Sequence, residues 1–156
     1  MLRKLSLLAA SALLAGSPAT AAADVGPSDA EIAHIAYTAG QIDIAAARQA
    51  VAKSSNAEVR GFAETMLRDH QAVEDKALAL VKKLGVTPTD NATSIALARQ
   101  ARETHAKLGT LKGAEFDRAY VDNEVAFHRT VNGALKTILI PSADNGELKG
   151  LLQAGE

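Results

Sequence analysis

Two histidines lie in the apolar stripes of two long segments whose hydrophobic residues recur with helical spacing. His70 belongs to the segment that contains Phe62 and Met66, and His128 belongs to the segment that contains Tyr120. Imidazole is a titratable ring, and an unpaired polar group buried in a helical core is costly. Each ring is therefore expected to be hydrogen-bonded, bound to a ligand or used in chemistry.

Two carboxylates are placed where they can join these rings. Glu124 lies four residues before His128, so both lie on one side of a helix. Asp43 lies twelve residues before Ser55 and His70 fifteen residues after it. These separations are about 18 and 22 Å of helix, so Asp43 and His70 are expected at similar heights in an antiparallel pair. Imidazole and carboxylate ligands suit zinc, iron, manganese or copper(II). One hypothesis is thus a metal site inside the protein, made of Asp43, His70, Glu124 and His128.

The same four residues also permit a purely structural interpretation, which is the commoner one for such residues. In it, His70 is hydrogen-bonded across the core to a carboxylate or a backbone carbonyl, and His128 is partly exposed. Asp43 and Glu124 then belong to a solvated face or to salt bridges. The sequence favours this interpretation and keeps the metal site as the alternative.

No motif for catalysis accompanies these residues. A di-iron oxidase needs a Glu-x-x-His pair on each of two helices, and only Glu31 and His34 have that spacing. The absence of cysteine excludes thiol catalysis, c-type haem attachment and zinc-thiolate sites. No serine stands in a nucleophile elbow and no glycines form a phosphate loop. We expect no enzyme, no catalytic or cofactor-binding residue and no required cofactor, with a transition metal as the candidate ligand.

Five helices are expected to position the four candidate residues, near 28–53, 56–84, 92–108, 114–139 and 144–153. Capping boxes that begin at Ser28 and Ser55 should open the first two helices, and Gly85 should end the second. In the second helix, Phe62, Val73 and their helical neighbours are expected in the core, as is Ile138 in the fourth.

The predicted fold is all-α. Aromatic residues are only 3% of the chain, which disfavours a sheet, and the connections are as short as antiparallel helices require. The last helix has only Leu148, Leu151 and Leu152 to bury and is therefore predicted to be truncated. An apolar groove is expected along helices one, two and four, filled by self-association or by a partner.

The first 23 residues have the features of a signal peptide. Arg3 and Lys4 precede an apolar run over 5–16 that is too short to span a bilayer comfortably, and small residues follow as far as Ala23. Cleavage after Ala21 or Ala23 would release one domain, residues 24–156, into the periplasm or the medium without stable membrane insertion.

The charge of that domain bears on its partners. Without Arg3 and Lys4 the basic side chains fall from 17 to 15 against 18 acidic ones, which leaves a net charge of −3. This balance gives no electrostatic reason to expect nucleic-acid binding. A second copy of the chain or an envelope protein is the expected kind of partner.

These residues resemble a bacterial family of exported, ferritin-like proteins, domain-of-unknown-function family 4142. The shared pattern is an acidic residue in the first helix, here Asp43, then Met66-Leu-Arg-Asp69-His70, then Phe116-Asp117-Arg-Ala-Tyr120 followed by His128. The resemblance covers about 28–152. Family members usually carry glutamate in place of Asp43 and continue the last helix to a further histidine.

The resemblance implies a ferritin-like antiparallel bundle and export, and it leaves the activity open. The expected function is that of an exported, non-enzymatic protein of the cell envelope that binds a ligand or partner, with a role in stress implied by the resemblance. The alternative is a ferritin-like metal-binding protein whose site is the His/carboxylate group above.

The signal peptide yields the first prediction. When the full chain is expressed in a bacterial host, protein recovered from the periplasm should lack 21 to 23 N-terminal residues, because the run of small residues ends there. Intact-mass spectrometry measures this directly. Periplasmic protein that still begins at Met1 would contradict the prediction.

Overall fold

The computed structural model describes residues 26–155, and this part of the chain is helical with no strand. The five helices lie where the hydrophobic periodicity predicts them, so the predicted all-α class is confirmed, and the packing is compatible with a ferritin-like bundle. The predicted signal peptide lies outside the described residues. The helices are α1 (Asp29–Lys53), α2 (Ala57–Leu84), α3 (Ala92–Thr110), α4 (Gly113–Ala134) and α5 (Gly146–Ala154).

Helix α1 is the centre of the structure, because it packs against each of the other four helices. Its buried side chains include five alanines, Ala33, Ala39, Ala46, Ala47 and Ala50. Alanine has no atoms beyond Cβ, so a helix rich in alanine allows its neighbours to approach closely and remains a good helix former. The abundance of alanine in the sequence thus serves the central position of α1.

The backbones of α2 and α4 scarcely approach each other, although both pack on α1. Side chains bridge the space between them instead. The Phe62 and Tyr120 rings have centroids 6.1 Å apart, and the His70 and His128 rings have centroids 5.6 Å apart. The gap between α2 and α4 is therefore where both histidines of interest lie.

The apolar core consists of two clusters. One lies at the end of the protein where α5 packs and contains Ile32, Ile35, Leu135, Leu139, Ala143, Leu148 and Leu152. The other lies at the opposite end and contains Ala46, Ala47, Ala50, Ala63, Leu108, Phe116 and Tyr120. Between them the buried side chains include three carboxyl groups, those of Asp43, Glu74 and Glu124. The two clusters hold the helices together, and the layer between them is polar.

The helix ends confirm one predicted capping box and correct the other. Ser28 and Glu31 form the predicted box at the start of α1, and Gly85 ends α2 in the left-handed conformation with φ 64°. The second box, predicted to begin at Ser55, is wrong. Asn56 caps α2 instead, and its side-chain oxygen accepts hydrogen bonds from the backbone N–H groups of Glu58 and Val59. Asparagine is at least as good an N-cap as serine, so the neighbouring residue takes the role.

Three predicted core positions are wrong for geometric reasons. Ile138 is 49% exposed while Leu139 is buried, because a π-helical turn over Leu135–Leu139 continues α4 and changes its register. Phe62 and Val73 on α2 are 39% and 40% exposed. Both belong to the apolar stripe of α2. The part of this stripe that contacts α1 is packed, and the rest faces the gap between α2 and α4.

Helix α5 closes one end of the protein. Leu148 and Leu152 are buried, and the Asp29 carboxylate accepts hydrogen bonds of 3.0 Å from the backbone N–H groups of Asp144 and Asn145. Among residues 26–155, no helix combines the length and the hydropathy needed to cross a bilayer.

The corrected cap of α2 can be tested by a matched pair of substitutions. Asn56→Ala should lower the free energy of unfolding by about 1 kcal/mol, because two backbone N–H groups lose their acceptor. Ser55→Ala, one residue away and exposed, should change it little. Urea denaturation measures both. A larger loss in Ser55→Ala than in Asn56→Ala would restore the original capping prediction.

Candidate metal centre

Three side chains from three helices meet in the polar layer. Asp43 of α1, His70 of α2 and His128 of α4 each offer one ligand-type atom, and these atoms all lie within 4.8 Å of one another. No other cluster of this kind occurs among the residues that the structure describes. The height expected for Asp43 and His70 in an antiparallel pair is thus observed.

A neighbouring contact between α1 and α2 fixes the relative height of the two helices. The Gln41 side chain donates a hydrogen bond to the buried Glu74 carboxylate, one turn from the Asp43–His70 contact. A slide of α2 along α1 would break this bond and bury the Glu74 carboxylate without a donor, which is costly. Glu74 therefore helps to position His70, four residues before it on α2.

His128 is oriented by the backbone of its own helix. Its Nδ1 lies 2.9 Å from the carbonyl oxygen of Glu124, one turn earlier in α4. A carbonyl oxygen only accepts, so Nδ1 carries the proton and donates it. The lone pair is then on Nε2, the form in which a histidine binds a metal through Nε2 while its other nitrogen is held by a second partner.

His70 is held in its neutral form. Burial lowers its pKa, with a further lowering by the nearby His128, against a smaller opposite effect of Asp69. Its side chain is 24% exposed. A histidine must be neutral to donate a lone pair to a metal, so this environment suits a ligand.

Asp43 is buried, and its carboxylate lacks the compensation that a buried charge requires. Its Oδ2 lies 3.6 Å from His70 Nε2, which is longer than a hydrogen bond, and its Oδ1 is buried with no hydrogen-bond partner among residues 26–155. Burial raises the pKa of Asp43 to about 7. The solvated face expected in the structural interpretation is therefore wrong for Asp43, which instead pairs with His70 at 3.6 Å, an ion-pair distance that is too long for the expected hydrogen bond.

Glu124 is even less exposed, at 1%. Within the described part of the chain, its Oε2 has no hydrogen-bond partner, and its Oε1 receives only a 3.5 Å contact from Asn123 Nδ2. Burial and the charge of Asp43 raise the pKa of Glu124 to about 7, against a lowering by His128. Glu124 is not among the three residues whose ligand-type atoms lie within 4.8 Å. Of the four predicted ligands, the structure thus joins Asp43, His70 and His128 and leaves Glu124 beside them.

Tyr120 completes the surroundings of the centre, although it was not among the candidate site residues predicted from the sequence. It is fully buried, and its hydroxyl forms no hydrogen bond with the residues that the structure describes. Burial raises its pKa, and Glu124 and Asp43 raise it further. The signal was the four-residue spacing from Tyr120 to Glu124 and from Glu124 to His128, which puts a hydroxyl, a carboxylate and an imidazole along one face of α4.

Comparison with known proteins identifies one family. The model of the family described as Domain of unknown function (DUF4142) matches residues 14–156. No curated protein and no solved structure shows a significant match to the chain.

The raised carboxyl pKa values predict how the stability of the metal-free protein depends on pH. Protonation of Asp43 and Glu124 is easier in the folded than in the unfolded chain, so their stabilising effect is complete below about pH 4 and is lost as the pH rises through about 7. Each pKa unit corresponds to about 1.4 kcal/mol. Between pH 5 and 8 the wild type should therefore lose at least about 1.4 kcal/mol more stability than the double variant Asp43→Asn/Glu124→Gln.

Chemical denaturation in the presence of a chelator measures this difference. The matched control is Asp122→Asn/Glu103→Gln, which changes two exposed carboxylates and should retain the pH dependence of the wild type. Parallel curves for the wild type and the Asp43/Glu124 variant would contradict the prediction.

Proposed function

The chain belongs to the family described as Domain of unknown function (DUF4142), and we propose that it binds a divalent transition-metal ion through Asp43, His70 and His128. The observation that carries the proposal is the convergence of their three ligand-type atoms, from three different helices, within 4.8 Å. These atoms do not satisfy one another by hydrogen bonds.

The energetics of the polar layer support a cation. A carboxylate removed from water without a partner is destabilising unless a charge or hydrogen bonds compensate for it. Among the described residues, no Lys or Arg lies within salt-bridge distance of Asp43, and none donates a hydrogen bond to the buried Oδ1 of Asp43 or Oε2 of Glu124. A divalent ion next to Asp43 would supply the positive charge.

The donor set restricts the kind of metal. Two imidazoles and one carboxylate suit zinc or iron(II), and such a set leaves coordination positions for further ligands. Ligand bonds of about 2.0–2.2 Å require the donor atoms to lie closer together than 4.8 Å, so the side chains would move inward on binding. Glu124, directly adjacent on α4, is placed to become a fourth ligand or to accept a hydrogen bond from metal-bound water.

The binding of the ion would be linked to protons. Asp43 and Glu124 have pKa values of about 7, so a fraction of each is protonated at neutral pH. A metal ligand must be deprotonated, and binding therefore releases protons. The affinity for the ion is accordingly expected to increase as the pH rises through 7.

Export forms the second part of the proposal. Its support is the charged, apolar and small-residue pattern of residues 1–23. In the periplasm or outside the cell, the protein would bind metal ions or partners in the envelope.

The histidines provide the test of metal binding. Purified wild type should bind one zinc ion per chain, and its melting temperature should rise with zinc, because a ligand that binds only the folded state stabilises it. A zinc concentration of 100 times Kd corresponds to about 2.7 kcal/mol. The variant His70→Ala/His128→Ala should lose both effects.

The control is His105→Ala, which changes an exposed histidine on α3. It should bind zinc as the wild type does. Isothermal titration and elemental analysis measure the stoichiometry, and circular dichroism measures the melting temperature. Equal zinc binding by the double variant and the wild type would rule out the proposed ligands.

A further inference from the structure

A cavity of about 690 Å³ extends from the candidate metal centre toward the end of the protein that α5 covers. Asp43 and His70 line it at one end, and Leu152 and Gly155 line it at the other. The fourteen residues of α1 between Asp29 and Asp43, both of which line the cavity, span about 21 Å. The cavity is therefore long as well as large, and its volume lies in the range of small-molecule binding sites.

Most of the cavity wall is aliphatic. The side chains along its length include Ile35, Leu80, Val131, Leu135, Leu139 and Leu148. Apart from the His70 imidazole, Tyr37 is the one aromatic ring among the described lining residues. Walls of methyl and methylene groups without aromatic surfaces for stacking fit an alkyl chain better than a flat ring.

The end of the cavity at the candidate centre is acidic. Asp29 and Glu31 line the cavity toward its other end, where both carboxylates already accept hydrogen bonds from the protein. Asp43 and Glu74 line the end at the candidate centre beside His70, and no Lys or Arg is found among the described residues that line the cavity. No basic side chain could neutralise an anionic headgroup there. A metal ion held by Asp43 would provide that charge, and His70 and Asp43 belong both to the cavity wall and to the candidate centre.

We propose that the cavity binds a single-chain aliphatic carboxylate, with its alkyl chain along the aliphatic wall and its carboxylate completing the coordination of the metal ion held by Asp43, His70 and His128. This inference rests on the proposed metal binding. It adds the class of ligand that occupies the coordination positions left open by three protein ligands. The alkyl chain of the ligand provides affinity because its apolar surface is buried, and the metal ion selects a carboxylate headgroup.

The experiment uses dodecanoate as the probe and protein loaded with Co(II), whose visible d–d spectrum reports a change of ligands. Dodecanoate should change this spectrum at a concentration at least about 100-fold lower than acetate does, because its methylene groups are buried in the cavity. Metal-free protein should show no saturable binding of dodecanoate by isothermal titration over the same range.

Two variants test where the alkyl chain of dodecanoate lies in the protein. Ala77→Phe places a ring in the cavity wall, and it should lower the ratio of dodecanoate to acetate affinity at least about tenfold by filling the space. Ala79→Phe, two residues away on the exposed side of α2, should retain the wild-type ratio. The uptake of Co(II) is measured for each variant before the fatty acid is added.

The outcomes separate the two proposals. If wild-type protein takes up no Co(II), the metal-binding proposal fails and the ligand proposal falls with it. If Co(II) binds but dodecanoate is no better than acetate, or Ala77→Phe and Ala79→Phe behave alike, only the ligand proposal is overturned. Tighter binding of dodecyltrimethylammonium than of dodecanoate would overturn it in favour of a cationic amphiphile. Equal competition by a two-chain phosphatidylcholine would overturn it in favour of a membrane lipid.

Discussion

Two buried carboxyl groups, each with one oxygen left without a hydrogen bond, are the constraint around which the structure is arranged. Asp43 and Glu124 are 4% and 1% exposed, and one oxygen of each receives no hydrogen bond from any residue that the structure describes. Such a group is stable only when it is protonated or when a cation is nearby. The charge of Asp43 raises the pKa of Glu124, so ionising one makes it harder to ionise the other. A divalent ion removes this conflict, because it allows both groups to be ionised together.

The rest of the fold stabilises the protein against the cost of burying the carboxyl groups of the polar layer. Apolar clusters lie on both sides of it along the helices, one around Leu135 and Leu148 and the other around Phe116 and Tyr120. The alanines of α1 bring the helices close together, while the separation of α2 from α4 leaves space for the two imidazoles. Functional groups that destabilise a fold are tolerated when the surrounding packing determines their positions. Two hydrogen bonds help to determine these positions here. One runs from Gln41 to Glu74, and the other runs from His128 to the backbone carbonyl of Glu124.

The sequence predicted correctly the features that depend on the local spacing of apolar residues and on the number of residues between a position and a turn. The helices follow from apolar spacing, and the level of Asp43 opposite His70 follows from the rise per residue on either side of one turn. It predicted poorly the features that depend on which of two neighbouring residues caps a helix, or on a change in the register of a helix. Ser55 and Asn56 are both good caps, and only the path of the chain selects Asn56. The π-helical turn that exposes Ile138 has no periodic signature. The preferred structural interpretation also missed the burial of Asp43 and Glu124, which the metal-site hypothesis implied, because periodicity identifies a face of a helix and does not identify what that face contacts.

The metal ion and the cavity ligand would be thermodynamically linked, and the linkage follows from where the charges lie. Without an ion, the polar end of the cavity has Asp43 and Glu74 and repels an anionic headgroup. With an ion, an open coordination position at the same end would accept a carboxylate oxygen, so the metal would increase the affinity for the carboxylate. Linkage is reciprocal, and the carboxylate must therefore increase the affinity for the metal by the same factor. A protein built in this way would hold its metal most tightly when an amphiphile fills the cavity. The metal ion and the amphiphile would then bind to the protein together rather than independently of each other.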